Sequence, residues 1–199
     1  SPRPAVRRAV AMAVDKERFA SVLLQGNGVP ATGPFPADFA FGGKAVSSRT
    51  FDLKAAAEVL ESAGWRDANG DGVREKDGKP LVLRWLTYPS RQELPLLAEM
   101  VQADLKSIGV KVDVNSTADH NALRRRPETW DVYASAMVTA PTGDPAYFFT
   151  THALASSSEN NGGYVNPELE ALAETLSNTF DPAKREALAV EMQNRILAD

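Results

Sequence analysis

Cysteine is absent from all 199 residues, which excludes disulfides, thiolate metal sites and a cysteine nucleophile but does not separate cytoplasm from exterior. Histidine is nearly absent, and the 2 present cannot by themselves specify a metal. No apolar run reaches the ~18–20 residues that a membrane-spanning helix needs. There is no nucleophile elbow, Walker loop, HExxH or GxGxxG, and the carboxylate pairs in view, such as Glu58 and Glu61, fall on helix faces where solvated charge is the default. A net charge of -4 gives no general attraction to nucleic acid or anionic membranes. The one basic run, Arg124, Arg125 and Arg126, reads as a solvated helix end. The opening Ser1-Pro2-Arg3 is neither a signal peptide nor an initiator methionine, so the chain is expected to be mature, processed or cut from something larger.

What is present is globular. With 43% hydrophobic and 24% charged residues, disorder and collagen-like classes are excluded, and the length allows one or two compact units. Val6, Val10, Ala13 and Val14 follow helical spacing, and Asp15 then caps a second short helix expected to bury Phe19, Val22 and Leu23 before Gly26 and Gly28 end it. The segment 28–48 has three prolines and Phe35, Phe39 and Phe41 without a sustained period. It reads as an ordered loop pinned by its rings. Asp52 is the N-cap of a helix with Leu53, Ala56, Leu60 and Ala63 on one face, stopped by Gly64 with Trp65 packing back.

Asp67, Asn69 and Asp71 match the first half of a calcium loop, but its twelfth position is Gly78 and Lys79-Pro80 replaces the following helix. These three are weak metal candidates, and a calcium-stabilised structural module is one alternative reading. The favoured one is a turn of residues that tolerate left-handed backbone. Residues 81–87 are apolar on nearly both faces, as in a buried strand. A helix follows, with Ser90 and Glu93 as a capping box or Pro95 as its true start, burying Leu97, Met100, Val101, Leu105 and Ile108. Gly109 closes it, and 110–115 forms a second strand with Val110, Val112 and Val114 inward. Strand, helix and strand joined this tightly make a βαβ unit with parallel strands. A short helix over 118–125 leads to a third strand over 131–137. The expected class is therefore α/β, a mainly parallel sheet with flanking helices. An α/β enzyme of unidentified chemistry is the other alternative.

The third strand runs into Val138, Thr139, Ala140, Pro141, Thr142, Gly143 and Asp144, which break its alternation, and Asp144-Pro145 is a cap followed by proline at a helix start. Crevices beyond the carboxyl ends of strands are where open α/β sheets hold ligands, so these seven residues are the candidate ligand-binding loop, with Asp144 expected to cap. Residues 155–163 read as a flexible loop anchored by Tyr164. Asn166-Pro167 and Asp181-Pro182 start two final helices, one burying Leu169, Leu172 and Leu176, the other Leu188, Met192 and Ile196.

Several segments, in order, resemble the substrate-binding proteins of ABC importers for peptides, nickel and related solutes, solute-binding family 5. They are VRRAVAMAVDKERF, FDLKAAAEVLESAGW with its GDG turn, MVQADLKSIGVKVDV, GDPAYFF and GGYVNPELEAL. The resemblance implies a two-lobed, periplasmic-binding-protein-like fold of which residues 1–199 are the C-terminal lobe, a single α/β lobe cut from a larger receptor. It further implies a small-molecule or peptide solute, an importer permease and ATPase as partners, and a periplasmic or extracellular, cell-surface location. Membrane contact would come only through the importer or a lipid anchor outside this chain. No catalysis, cofactor or nucleic acid is implied. The dipeptide binders' tryptophan and ammonium-pairing aspartate fall here on Val138 and Pro141. A buried ammonium without a carboxylate costs several kcal/mol, as an order of magnitude, so that mode of grip is disfavoured. The nickel binders' aromatic loop is also missing, and His152 is only a loose analogue of their histidine.

Overall fold

A computed structural model describes residues 3–199, the Lys44 side chain apart. Ser1 and Pro2, where an initiator methionine is lacking, lie outside the described residues. The chain divides into two compact units, one of residues up to 30 with 50–136, the other of 31–49 with 137–199.

The first unit holds the parallel sheet. Helix α1 (Pro4–Met12) has proline at its first turn and buries Val6 and Ala9. Asp15 accepts the Arg18 N–H at 2.9 Å, as a cap should, and starts α2 (Lys16–Arg18), which continues as a π turn over Phe19–Leu23. Val22, expected inside, is 63% exposed, because the wider π turn rotates it off the face that carries Phe19 and Leu23 inward. In α3 (Leu53–Ser62) the Asp52 carboxylate accepts the Ala55 N–H at 2.8 Å, Ala56 and Leu60 are fully buried, and Gly64 at φ 84° turns Trp65 back onto the helix. A hairpin, β1 (Glu75–Lys76) with β2 (Lys79–Pro80), precedes β3 (Val82–Thr87).

Helix α4 (Glu93–Ser107) joins β3 to β4 (Lys111–Ser116), which pairs with β3 in parallel from Val82↔Lys111 to Thr87↔Ser116. No capping box forms: Gln92 precedes the helix without a side-chain cap. Pro95 is the third helical residue, where no intrahelical partner for an N–H is required. Ala98, Met100, Val101 and Leu105 bury the inner face with Leu81, Leu83, Trp85, Val110 and Val112, and Leu94 is buried in the first turn. The helix expected over 118–125 is reduced to α5 (His120–Leu123).

The third strand, β5 (Val132–Tyr133), pairs in parallel with β3, giving the order β4-β3-β5. It is two residues long rather than seven. Beyond Tyr133 the partner strand runs out, and side chains take over: the Ala134 N–H still reaches the Leu86 carbonyl at 3.0 Å, the Thr87 hydroxyl donates to the Ala134 carbonyl at 3.1 Å, and the Ala136 N–H donates to the Tyr88 hydroxyl at 3.1 Å.

The second unit is helical. Helix α6 (Ala146–Phe148) continues as a π turn over Phe149–Ala153, followed by α7 (Pro167–Ser177) and α8 (Pro182–Ala198). Asn166 accepts the Glu168 and Leu169 N–H groups and Asp181 that of Lys184, so both cap-and-proline starts form. The core is Phe149, Leu169, Leu176, Ala189 and Met192, joined by Phe35 and Phe41 from the proline-rich loop with ring centroids 4.9 Å apart. Residues 155–163 are held rather than loose. The Asn160 amide donates to the Leu154 and Tyr164 carbonyls and accepts the Tyr164 N–H, while the Ser157 hydroxyl donates to the Phe149 carbonyl.

Candidate functional site

In the second unit, the Gly143 N–H bonds the Ala140 carbonyl at 3.1 Å and Gly143 has φ 78°, a left-handed turn that an L side chain resists. Space beside it is open: a Cβ added to Gly143 would meet only the Phe39 ring, at 4.0 Å. Asp144 is the N-cap expected from the sequence, with Pro145 first in the helix, but Pro145 takes the cap position and the helix starts at Ala146; Asp144 stands one residue earlier, with one oxygen accepting the Ala146 N–H at 2.7 Å. Both its oxygens also accept from Arg185, at 2.8 and 2.7 Å. Ala140 packs against the unit's core, while Val138 is 68% exposed and Pro141, Thr142 and Gly143 are exposed. Thr139 is half-buried, and among the described residues neither its hydroxyl nor that of Thr142 has a hydrogen-bond partner. Thr142, Gly143 and Asp144 border an open recess of about 320 Å³ that Phe41, Pro182, Arg185 and Glu186 also line. The turn is thus fixed at Gly143 and Asp144, beside two hydroxyls that have no hydrogen-bond partner among the described residues. His152 lies in the π turn, its ring 5.7 Å from that of Phe148.

In the first unit, a group the sequence reading missed gathers at the carboxyl ends of β3 and β5. His120 stacks on Tyr88 with centroids 3.9 Å apart, and its Nδ1 shares a 2.8 Å hydrogen bond with the Tyr133 hydroxyl, beside Trp130. Burial, and then the Arg124 charge, hold the imidazole below its ordinary 6.5, so it is neutral at pH 7. The signal lay in register: β3 and β5 end side by side, and each is closed by a tyrosine.

Asp67, Asn69 and Asp71 spend their oxygens on their own turn. Asp67 accepts the Gly70 and Gly72 N–H groups, Asn69 that of Asp71, and Asp71 that of Val73. Among the described residues no three His, Cys, Asp or Glu side chains converge as a metal site would require.

The sequence profile of bacterial extracellular solute-binding proteins, family 5 Middle, matches residues 3–160. The chain belongs to this family of solute-binding proteins. Protein XP55 of Streptomyces lividans is 31% identical over 98% of the chain, and oligopeptide-binding protein AppA of Bacillus subtilis is 29% identical over 88%. Among solved structures, NikA of Staphylococcus aureus in complex with Ni(L-His)2 superposes with a TM-score of 0.84 at 25% identity over 97% of the chain. The solved neighbours are two-lobed periplasmic binding proteins, and the parallel sheet with flanking helices agrees with them. The chain spans only 36%, 33% and 39% of the length of these three relatives.

Proposed function

We propose that residues 1–199 form the C-terminal lobe of an ABC-importer receptor that captures peptides, nickel complexes or related small solutes outside the cytoplasm and delivers them to a permease driven by an ATPase. Val138, Thr139, Ala140, Pro141, Thr142, Gly143 and Asp144 are its solute-facing residues. The observation that carries this reading is the 139–144 loop: a left-handed glycine with open space beside it, a backbone bonded to Asp144, and two threonine hydroxyls without hydrogen-bond partners among the described residues. Such a loop recognises solute through hydroxyls and backbone N–H groups. It has no carboxylate to spare for an ammonium, because both Asp144 oxygens are engaged. Relatives named for oligopeptides and for a nickel–histidine complex support both solute classes. A receptor gains affinity when two lobes close over the solute and exclude water, so this lobe alone offers a fraction of the contacts.

The test is to express the full-length receptor, release its co-purified solute by unfolding, and identify it by mass spectrometry. The identified solute should then bind the refolded receptor at least ~100-fold more tightly than it binds residues 1–199 alone, a ratio of the order that one lost set of contacts implies. Equal affinity of the isolated chain would refute the two-lobe reading, and turnover of the solute would favour an enzyme.

A further inference from the structure

We propose that Arg185 is a positioning residue for the solute loop: from the first turn of α8 it holds Asp144, and through Asp144 the whole of 140–146, in the shape that presents Thr139 and Thr142. This inference rests on the function proposed above. The Arg185 guanidinium is 21% exposed and makes four hydrogen bonds. One terminal nitrogen donates to both Asp144 oxygens, at 2.8 and 2.7 Å, and the other to the carbonyls of Leu176 and Thr179, at 2.7 and 2.8 Å. The Leu176 carbonyl lies in the last turn of α7, where it also accepts the Thr179 N–H, and Thr179 follows just past the helix end, a place that favours positive charge. A single planar group therefore joins the end of one helix to the start of another.

The consequence for the loop follows from the order of its locks. Gly143 bonds back to Ala140 and Asp144 bonds forward to Ala146; Ala140 and Ala146 pack on the core, and among the described residues the long-range hydrogen bonds to that pair of turns come from Arg185, 41 residues on. Arg185 meets the apolar cluster of Phe35, Phe149, Leu169 and Met192 only at its edge, through the Leu176 carbonyl. Its loss should therefore loosen the loop before the core. Lysine cannot replace it, because one ammonium cannot serve two carboxylate oxygens and two carbonyls in fixed directions at once.

The test is amide hydrogen exchange on the full-length receptor, purified free of solute, as wild type, Arg185→Lys and Arg185→Met. Exchange across 143–147 should accelerate at least ~tenfold in both variants, while amides of the α7 core around Leu169 to Ala173 keep their protection. Unchanged exchange in the loop overturns the proposal. So does equal acceleration through α7 and α8, which would make Arg185 a general stabiliser. If Arg185→Met does not fold, Asp144→Asn, which retains an acceptor for the Ala146 N–H but loses half of the carboxylate pair, should show the same loop-restricted acceleration, and its absence overturns the proposal equally. No solute enters the measurement, so a failure here is distinct from a failure of the loop to bind.

Discussion

Two glycines of similar backbone geometry should respond very differently to alanine, because of what surrounds them. Gly109 (φ 81°) and Gly143 (φ 78°) are both left-handed, a conformation that costs an L residue ~1–2 kcal/mol. At Gly143 little else is lost, since the nearest atom to an added Cβ is 4.0 Å away. At Gly109 the Cβ would stand 2.9 Å from Arg74 Cγ and 3.4 Å from its Nε. Arg74 cannot swing aside freely. Its Nε donates to the Ile108 carbonyl at 2.7 Å, its Nη1 to the Trp65 carbonyl at 2.8 Å and to Glu61 at 2.7 Å, and the side chain is 16% exposed. Displacing it forfeits two or three hydrogen bonds at ~0.5–1.5 kcal/mol each. Gly109→Ala should therefore cost ~2–6 kcal/mol and Gly143→Ala ~1–2 kcal/mol as sums of those terms. Urea unfolding measures both: Trp65, Trp85 and Trp130 all lie in the first unit and report Gly109→Ala by fluorescence, and circular dichroism reports Gly143→Ala in the helical unit. Equal costs at the two positions would refute the argument from Arg74.

Further outcomes are expected from charge. Burial raises the Asp131 carboxyl, but hydrogen bonds from Arg84, its charge and that of Arg3 outweigh burial and leave it below its ordinary 3.8. That stabilisation is present above the unfolded value and lost as pH falls through the lowered folded one, so Asp131→Asn should flatten the acid limb of stability measured by tryptophan fluorescence. His120, lowered by burial and then by Arg124, is neutral when folded, so the unfolded chain takes up its proton first. Stability should fall as pH drops below about 6.5, and His120→Gln should remove that dependence in the same assay. Calcium titration by calorimetry should show only weak binding at Asp67, Asn69 and Asp71, because their oxygens accept backbone N–H groups. A dissociation constant on the order of micromolar or tighter would overturn that.

What the sequence made legible was local. Asp15, Asp52, Asn166 and Asp181 cap within three residues of themselves, and the alternation of Val110, Val112 and Val114 names its own inward face. The third strand was overextended because alternation persists through Met137, whereas strand pairing stops at Leu86↔Tyr133, one residue before β3 ends at Thr87. Composition suggested slack over 155–163, where one asparagine holds the turn by three hydrogen bonds. The Tyr88, His120 and Tyr133 group depends on strand register, and the Arg185 tie to Asp144 spans 41 residues. No window of sequence contains either. Cysteine-free composition, for its part, said nothing of the solute.

The central claim is that 139–144 faces the solute, and replacing both Thr139 and Thr142 with phenylalanine in the full-length receptor tests it most directly. Neither hydroxyl has a protein partner among the described residues and Thr142 is exposed, so the melting temperature should shift by no more than ~2 °C, the range of surface substitutions. Calorimetric binding of the co-purified solute should be lost. Binding that survives with unchanged Kd would place the pocket elsewhere and contradict the account.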